Sequence, residues 1–439
     1  MSRVLVTGGA GFIGSFVVDR LRAAGHEAVI FDVRHSPHHA RGEVPTVIGD
    51  VLDYDSVLKA ARGCDAIAHL AAAADVGEVA ADPRAAEELN ARGTLHVLEA
   101  ARELELARVI YASTIWVYSE AEGRVDEEAA LRPPAHLYTA TKLAGELYCH
   151  AYGELYGLDT TILRFGIPFG PRARPAAVVP AFVRKALDGE PLTIAGTGEQ
   201  TRRFVYVEDL AEGVVRAMAP AAANRVYNLV GDEDVSIRQI ATTVSDLVGD
   251  TAIEHTPARA GDFGGRIEIS GERALTELGW QPGTEFREGV SKYVAWQRRK
   301  EAEESQGLRA SLRTRSAALG AKAGVALTVA AAGLFGAFVT RYDAVTDPVS
   351  FLALLLLLVL PLVIVAGVDW NSDRSRVGLV AAAMLIGVMV QGLMSEGADY
   401  VHTARHHERL FIIITVILCV VAVWGVRRAT RVSQSDPAG

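Results

Sequence analysis

Tyr138 and Lys142 are the two side chains in this sequence best placed by spacing to move a proton together. Read as a helix, Tyr138-Thr139-Ala140-Thr141-Lys142 puts positions i and i+4 on one face, so both can act on one substrate. A free tyrosine titrates at about 10, and an adjacent ammonium favours the phenolate and lowers that value. Such a pair can take a hydroxyl proton while hydride leaves the same carbon. The spacing alone equally suits the surface of an amphipathic helix. Upstream, Ala112-Ser113-Thr114-Ile115-Trp116-Val117-Tyr118 closes an apolar run. A hydroxyl there, Ser113 or Thr114, can hydrogen-bond a reacting oxygen.

A hydride needs an acceptor, and the N-terminus carries a pattern for one. Thr7-Gly8-Gly9-Ala10-Gly11-Phe12-Ile13-Gly14 follows a short apolar run and opens a helical pattern. It reads as Gly9-x-Gly11-x-x-Gly14 or as Gly8-x-x-Gly11-x-x-Gly14. Side chains at that turn would hold the backbone away from a pyrophosphate, so glycines are needed. The helix start at Phe12 and Ile13 then offers free N–H groups and a positive dipole end to the phosphates. Asp32 closes the next apolar run, where a carboxylate can accept hydrogen bonds from both ribose hydroxyls. It would repel a 2′-phosphate, which favours NAD over NADP, although Arg34 nearby weakens that preference.

The elements that must carry these residues alternate. Strand-like runs occur at 3–7, 28–32, 44–48, 66–70, 109–113 and 160–164, with helix-like runs at 12–24, 55–62, 87–104 and 138–156 between them. Strands alternating with helices argue for an α/β fold with a parallel, doubly wound sheet. From 166 to 293 the pattern is less regular, with short strands at 192–194 and 226–229 and helices at 179–187, 207–219 and 237–248. This reads as a smaller lobe. The predicted division is 1–165 for the nucleotide domain, 166–297 for the substrate lobe and 298–322 for a charged linker. A membrane region at 323–428 and a tail at 429–439 complete it.

Four apolar runs, at about 323–340, 349–368, 377–395 and 410–426, support that membrane region. Each is near the roughly 17–25 residues that cross a bilayer core, and a helix there tolerates Pro361. Basic flanks, the linker before the first run and Arg427, Arg428 and Arg431 after the last, place both termini on the cytoplasmic side. No signal-peptide pattern precedes the first strand. The expectation is a multi-pass protein of the plasma (inner) membrane with a cytoplasmic catalytic domain. A net charge of -9 argues against a nucleic-acid partner. Cys64, Cys149 and Cys419 are scattered and imply neither disulfides nor a metal site. His35, His38 and His39 read as a solvated loop, and His402, His406 and His407 as an interfacial one, so no metal is expected.

Taken together, the glycine turn, Gly49-Asp50, His69-Leu70-Ala71-Ala72, Asn90 with Gly93-Thr94, Ser113-Thr114 with Val117-Tyr118, and Tyr138-x-x-x-Lys142 resemble the NAD-dependent epimerase/dehydratase branch of the extended short-chain dehydrogenase/reductase proteins. The resemblance spans about residues 1–297. It implies a Rossmann-type sheet with a smaller α/β substrate lobe, here followed by four transmembrane helices. It also implies roles. Asp50 and Val51 would contact adenine; Leu70, Ala71 and Ala72 would line the cofactor groove; Asn90 would lie near the pyrophosphate or ribose. Tyr138 would be the base, Lys142 would orient the nicotinamide ribose and tune the phenol, and Thr114 would hold the sugar oxygen. Two later segments, around Gly196-Thr197-Gly198 with Arg202-Arg203-Phe204-Val205-Tyr206 and around Arg259-Ala260-Gly261-Asp262, resemble those whose arginines meet a nucleotide diphosphate. They point to Arg202 and Arg259. Relatives often form homodimers.

The sequence also departs from the family pattern. Ile115 and Trp116 stand where dehydratases and decarboxylases carry acids, which disfavours both reactions. Ile167 replaces a usual asparagine, Arg203 and Ser270 usual aspartates, and Ser119 a glycine. The expected function is therefore a membrane-tethered, NAD-dependent nucleotide-sugar epimerase of the 4-epimerase type. Alternatives are a dehydrogenase of a steroid or other lipid alcohol, and a non-catalytic NAD-binding membrane scaffold.

Overall fold

The computed structural model describes residues 1–118, 121, 123–257 and 267–307. Arg259, Ser119, the four apolar runs and the second histidine cluster lie outside the described residues. Residues 1–300 form one compact unit and 301–439 another, of which 301–307 are helical. Among the described residues no helix is long and apolar enough to cross a membrane.

The first half alternates as expected. β1 (Arg3–Thr7) leads to α1 (Phe12–Ala23), β2 (Glu27–Asp32), β3 (Thr46–Ile48), α2 (Tyr54–Ala61) and β4 (Ala66–His69). Short helices α3 (Val76–Ala81) and α4 (Pro83–Glu87) precede α5 (Gly93–Glu103), β5 (Arg108–Thr114), β6 (Gly123–Val125), α6 (Leu137–Tyr156) and β7 (Thr160–Phe165). The helix expected over 87–104 is present, running without interruption from Pro83 to Glu103, but it is not uniform. One turn of π-helix, Glu88–Arg92, separates α4 from α5, and such turns often mark functional positions.

The second half holds β8 (Ile167–Phe169), α7 (Val178–Leu187), β9 (Leu192–Ala195), β10 (Thr201–Tyr206), α8 (Val207–Arg216), β11 (Arg225–Leu229), β12 (Asp234–Ser236), α9 (Ile237–Val248), β13 (Ile253–Thr256), β14 (Ile267–Ile269) and α10 (Glu272–Leu278). A further helix begins at 286. β8, β10 and β12 form one small sheet, and β9 with β13 another.

The main sheet has seven strands in the order β11-β7-β5-β4-β1-β2-β3, every neighbouring pair parallel. Strand order reverses between β1 and β4, and in open parallel sheets ligands bind in that crevice, outside the carboxyl ends of the strands. Helices α1 and α8 cover one face, packing Phe16, Val17, Val18 and Leu21 with Leu210 and Val214. Helices α2, α5 and α6 cover the other, with Val57, Val97, Leu98 and Cys149 buried there.

The boundary after 165 is therefore not a clean division. The run at 226–229 was expected in the substrate lobe, yet β11 adds to the main sheet beside β7 with Tyr227 paired to Leu163. The chain leaves the nucleotide domain and returns to it, because Tyr227 and Leu229 are fully buried only against that sheet's core.

Candidate active site

At the end of β1 the chain turns through Gly8 at φ +70°, where an L side chain is strained. A Cβ on Gly14 would lie 2.1 Å from the Gly8 carbonyl oxygen, and one on Gly8 would lie 2.9 Å from the Ala71 nitrogen. Glycine is thus required twice for the helix to start this close to the strand end. The resulting cradle of backbone fits a dinucleotide pyrophosphate, with Gly11, Phe12 and Ile13 at the start of α1. The Ala10 N–H donates to the Asp32 carboxylate at 3.1 Å, which fixes that acid at the end of β2 beside the turn. Asp50 and Val51 follow β3. Asp50 is exposed, while Val51 is buried with its carbonyl bonded to His96 at 2.9 Å. The Leu70, Ala71 and Ala72 backbone follows β4 and is half-buried.

That groove wall is held from beneath by His69, fully buried at the end of β4. The Thr94 hydroxyl donates to the Asn90 carbonyl at 2.6 Å, so its oxygen must accept from His69 Nε2–H at 3.0 Å. His69 Nδ1 is then the acceptor for the Thr7 hydroxyl at 2.7 Å. The Thr7 oxygen in turn accepts from the N–H groups of Leu70 and Ala71, each at 3.2 Å. Burial, reinforced by the charge of Lys142, pushes the His69 pKa down to about 3, in keeping with a neutral, structural imidazole.

Asn90 was expected against the cofactor; its side chain is committed elsewhere. Its Oδ1 accepts from the Ala73 N–H at 2.7 Å, and its Nδ2 donates to the Ala73 carbonyl and the Thr141 hydroxyl, each at 2.9 Å. Placed by the π turn, it ties the groove segment to α6, the helix of Tyr138 and Lys142.

Helix α6 lies unusually close to β5. A Cβ on Gly145 would fall 2.1 Å from the Tyr111 hydroxyl, and that hydroxyl donates to the Lys142 carbonyl at 3.1 Å. The approach brings Tyr138 beside Thr114, whose hydroxyl pulls the phenol's pKa down. Thr114 also accepts from the Trp116 N–H at 3.2 Å. His136 caps α6, accepting at Nδ1 from the Thr139 N–H at 3.2 Å, and stacks on the Tyr138 ring at 6.0 Å.

The structure corrects one electrostatic expectation. Lys142 does not depress the Tyr138 pKa here. Burial pushes the phenol up to about 12, offset in part by the Thr114 hydroxyl and the charge of Arg174. The Lys142 ammonium instead sits 4.4 Å over the Tyr111 ring. Burial brings its pKa down to about 8, against the opposing effect of Glu146.

Glu146, one turn beyond Lys142, was missed from sequence, although Tyr138, Lys142 and Glu146 share an i, i+4, i+8 stripe that could have revealed it. Arg164 grips its carboxylate through Nε at 3.1 Å and Nη2 at 2.7 Å. Ser113 donates to the same carboxylate. Arg164 also donates to the Tyr118 hydroxyl at 2.6 Å, which donates to Asn228 on β11 at 2.9 Å. Ser113 is thereby a supporting residue, and Thr114 is the hydroxyl left toward the phenol.

Arg202, on β10, places its guanidinium 5.4 Å from the centre of the Trp116 ring, within the same cleft. Arg203 is structural, donating to Asp234 at 2.7 Å. In the first histidine cluster His35 is exposed, as a solvated loop requires, while His38 and His39 are half-buried. His39 bonds Asp19 at 2.9 Å and Ser36 at 2.8 Å, and burial drives the His38 pKa down to about 4. Among the described residues no group of side chains suits a metal ion.

Comparison with known proteins agrees with this geometry. The family model described as "NAD dependent epimerase/dehydratase family" matches residues 4–230. A UDP-glucose 4-epimerase of Mycolicibacterium smegmatis is 36% identical over 68% of this chain and 99% of its own. A dTDP-glucose 4,6-dehydratase of Streptomyces niveus is 32% identical over 67% of this chain and 93% of its own. Among solved structures, the NAD complex of a Thermus thermophilus UDP-glucose 4-epimerase superimposes with a TM-score of 0.62 at 34% identity, covering 67% of this chain and 99% of that one. With its glycine cradle, Asp32 and the Thr114–Tyr138–Lys142 cluster in place, the chain is an NAD-dependent enzyme and belongs to the NAD-dependent epimerase/dehydratase family.

Proposed function

We propose that this enzyme is a nucleotide-sugar epimerase of the 4-epimerase type, working through a transient 4-keto sugar, and that its C-terminal apolar runs tether it to a membrane. The observation that carries the chemistry is that the Thr114 hydroxyl lies close enough to the Tyr138 phenol to lower its pKa. Two neighbouring hydroxyls can share one sugar oxygen: Thr114 would donate to it, and Tyr138 would exchange a proton with it. Bound NAD would supply the reversible hydride acceptor. Positive charge near the phenol favours the phenolate, the form able to take the sugar's hydroxyl proton, and Arg174 already acts in that direction. Lys142 and Asp32 would hold the two riboses, and Arg202 would meet the diphosphate.

The absence of an acid after Thr114 supports epimerisation. Ile115 is buried and Trp116 is aromatic, so neither can protonate a leaving hydroxyl. The relatives named above, two epimerases and one dehydratase, bracket this choice.

The test is to fractionate cells, purify the full chain from whichever fraction holds it, and screen a nucleotide-sugar panel. Activity in the membrane pellet, transient reduction of bound cofactor and a C4-inverted product are expected, with Tyr138→Phe slowing turnover by about 10²–10⁴. A dehydrated or decarboxylated product would reject the epimerase reading, and activity confined to the soluble fraction would reject the tether.

A further inference from the structure

Two arginines on one short segment grip opposite banks of the crevice between β1 and β4. After β8 ends at Phe169, residues 170–174 run back onto the nucleotide fold. Arg172 holds φ at +66°, a conformation that residues other than glycine rarely adopt. Its guanidinium lies 4.2 Å over the Phe16 ring and donates to Asp19 at 2.8 Å. Both partners sit on α1, the helix opened by the glycine turn. Asp19 is also bound by His39, so its carboxylate is fixed from two sides.

Two residues on, Arg174 donates to Asp75 Oδ2 at 3.1 Å. Asp75 stands just beyond the groove residues 70–72, and its Oδ1 is occupied capping α3 through the N–H groups of Gly77 and Glu78. Those backbone bonds, followed by the charge of Arg174, hold the Asp75 carboxyl below its usual range despite partial burial. The two grips are unequal: Arg172 is 19% exposed and Arg174 51%.

We propose that residues 170–174 form a strap that retains the dinucleotide, with Arg172 as its anchor and the Arg174–Asp75 ion pair as its catch. This rests on the NAD-dependent reading of the cleft. An enzyme that returns its hydride within each turnover has no need to release the cofactor, so a closed strap costs no rate. Opening requires only the exposed pair to part, and the strained, stacked Arg172 stays in place.

The strap can be tested without turnover. The full chain is loaded with radiolabelled NAD, diluted into unlabelled NAD, and the release of label is timed. Asp75→Asn keeps a capping acceptor for α3 but loses the charge; it and Arg174→Ala should each speed release about 2- to 5-fold. Arg172→Ala removes the ion pair and the ring contact together, and about 10-fold faster release is expected. Arg174→Lys should release close to the parent rate, and added salt should speed the parent but not Asp75→Asn. If Arg172→Ala unfolds, the near-isosteric Asp75→Asn decides. Unchanged release in Asp75→Asn and Arg174→Ala, with only the sugar KM altered, would overturn the strap and leave the NAD reading intact. A parent chain that takes up no label would instead remove the NAD reading itself.

Discussion

Lys142→Met is expected to raise the stability of the protein at neutral pH while removing its hydride chemistry. Lys142 is 3% exposed, and the Tyr111 ring, Cys149 and Glu146 offset its lost hydration only in part. Burial lowers its pKa from 10.5 to about 8. At 1.36 kcal/mol per pH unit, keeping the side chain charged in the fold at pH 7 costs about 3 kcal/mol. The sign follows from proton counting. Between pH 8 and 10.5 the folded lysine is largely neutral and the unfolded one charged, so the unfolded state binds more protons and parent stability rises with pH. Methionine carries no such cost. Its advantage should therefore be about 3 kcal/mol at pH 7 and fall below about 1 kcal/mol by pH 10. In thermal unfolding this is a rise in Tm of several degrees at pH 7 that nearly vanishes at pH 10. A variant that melts lower than the parent at pH 7, or whose difference does not shrink with pH, would refute burial as the dominant influence on this lysine.

Other substitutions probe the rest of the site. Gly14→Ala forces a Cβ to within 2.1 Å of the Gly8 carbonyl; the turn must open, and NAD titration should show affinity lowered by at least about tenfold, roughly 1.4 kcal/mol. Arg164→Met leaves the Glu146 carboxylate, 2% exposed, without its cation, and chemical denaturation should show a loss of about 3–5 kcal/mol. If Glu146→Gln added to Arg164→Met recovers none of that loss, the stranded charge is not its source.

The features legible in the sequence are those set by short-range physics. Helix α6 runs from Leu137 to Tyr156 and stops at Gly157 with φ +67°, as the run at 138–156 and the following glycine require. The glycine turn, Asp32 closing β2 and the i, i+4 pair on α6 depend only on neighbours in the chain, and their order is enough to specify a parallel sheet with its crevice beside β1.

Tertiary contacts decided the rest. Residues 225–229 have the same β-rich composition as a lobe strand; only pairing with β7 settles their sheet. The helix pattern over 87–104 contains no mark of a π turn, because what holds it is Asn90 reaching Ala73 and Thr141. Asn90 was thereby turned from an expected cofactor contact into a brace. The shift of Tyr138 was equally invisible: spacing promised an ammonium acting on the phenol, but burial raises its pKa and Lys142 turns to Tyr111. Spacing fixes which residues can meet on one helix face. How much water each loses, and which partner it then finds, depends on segments far away in the chain, and those terms decide the chemistry of the cleft.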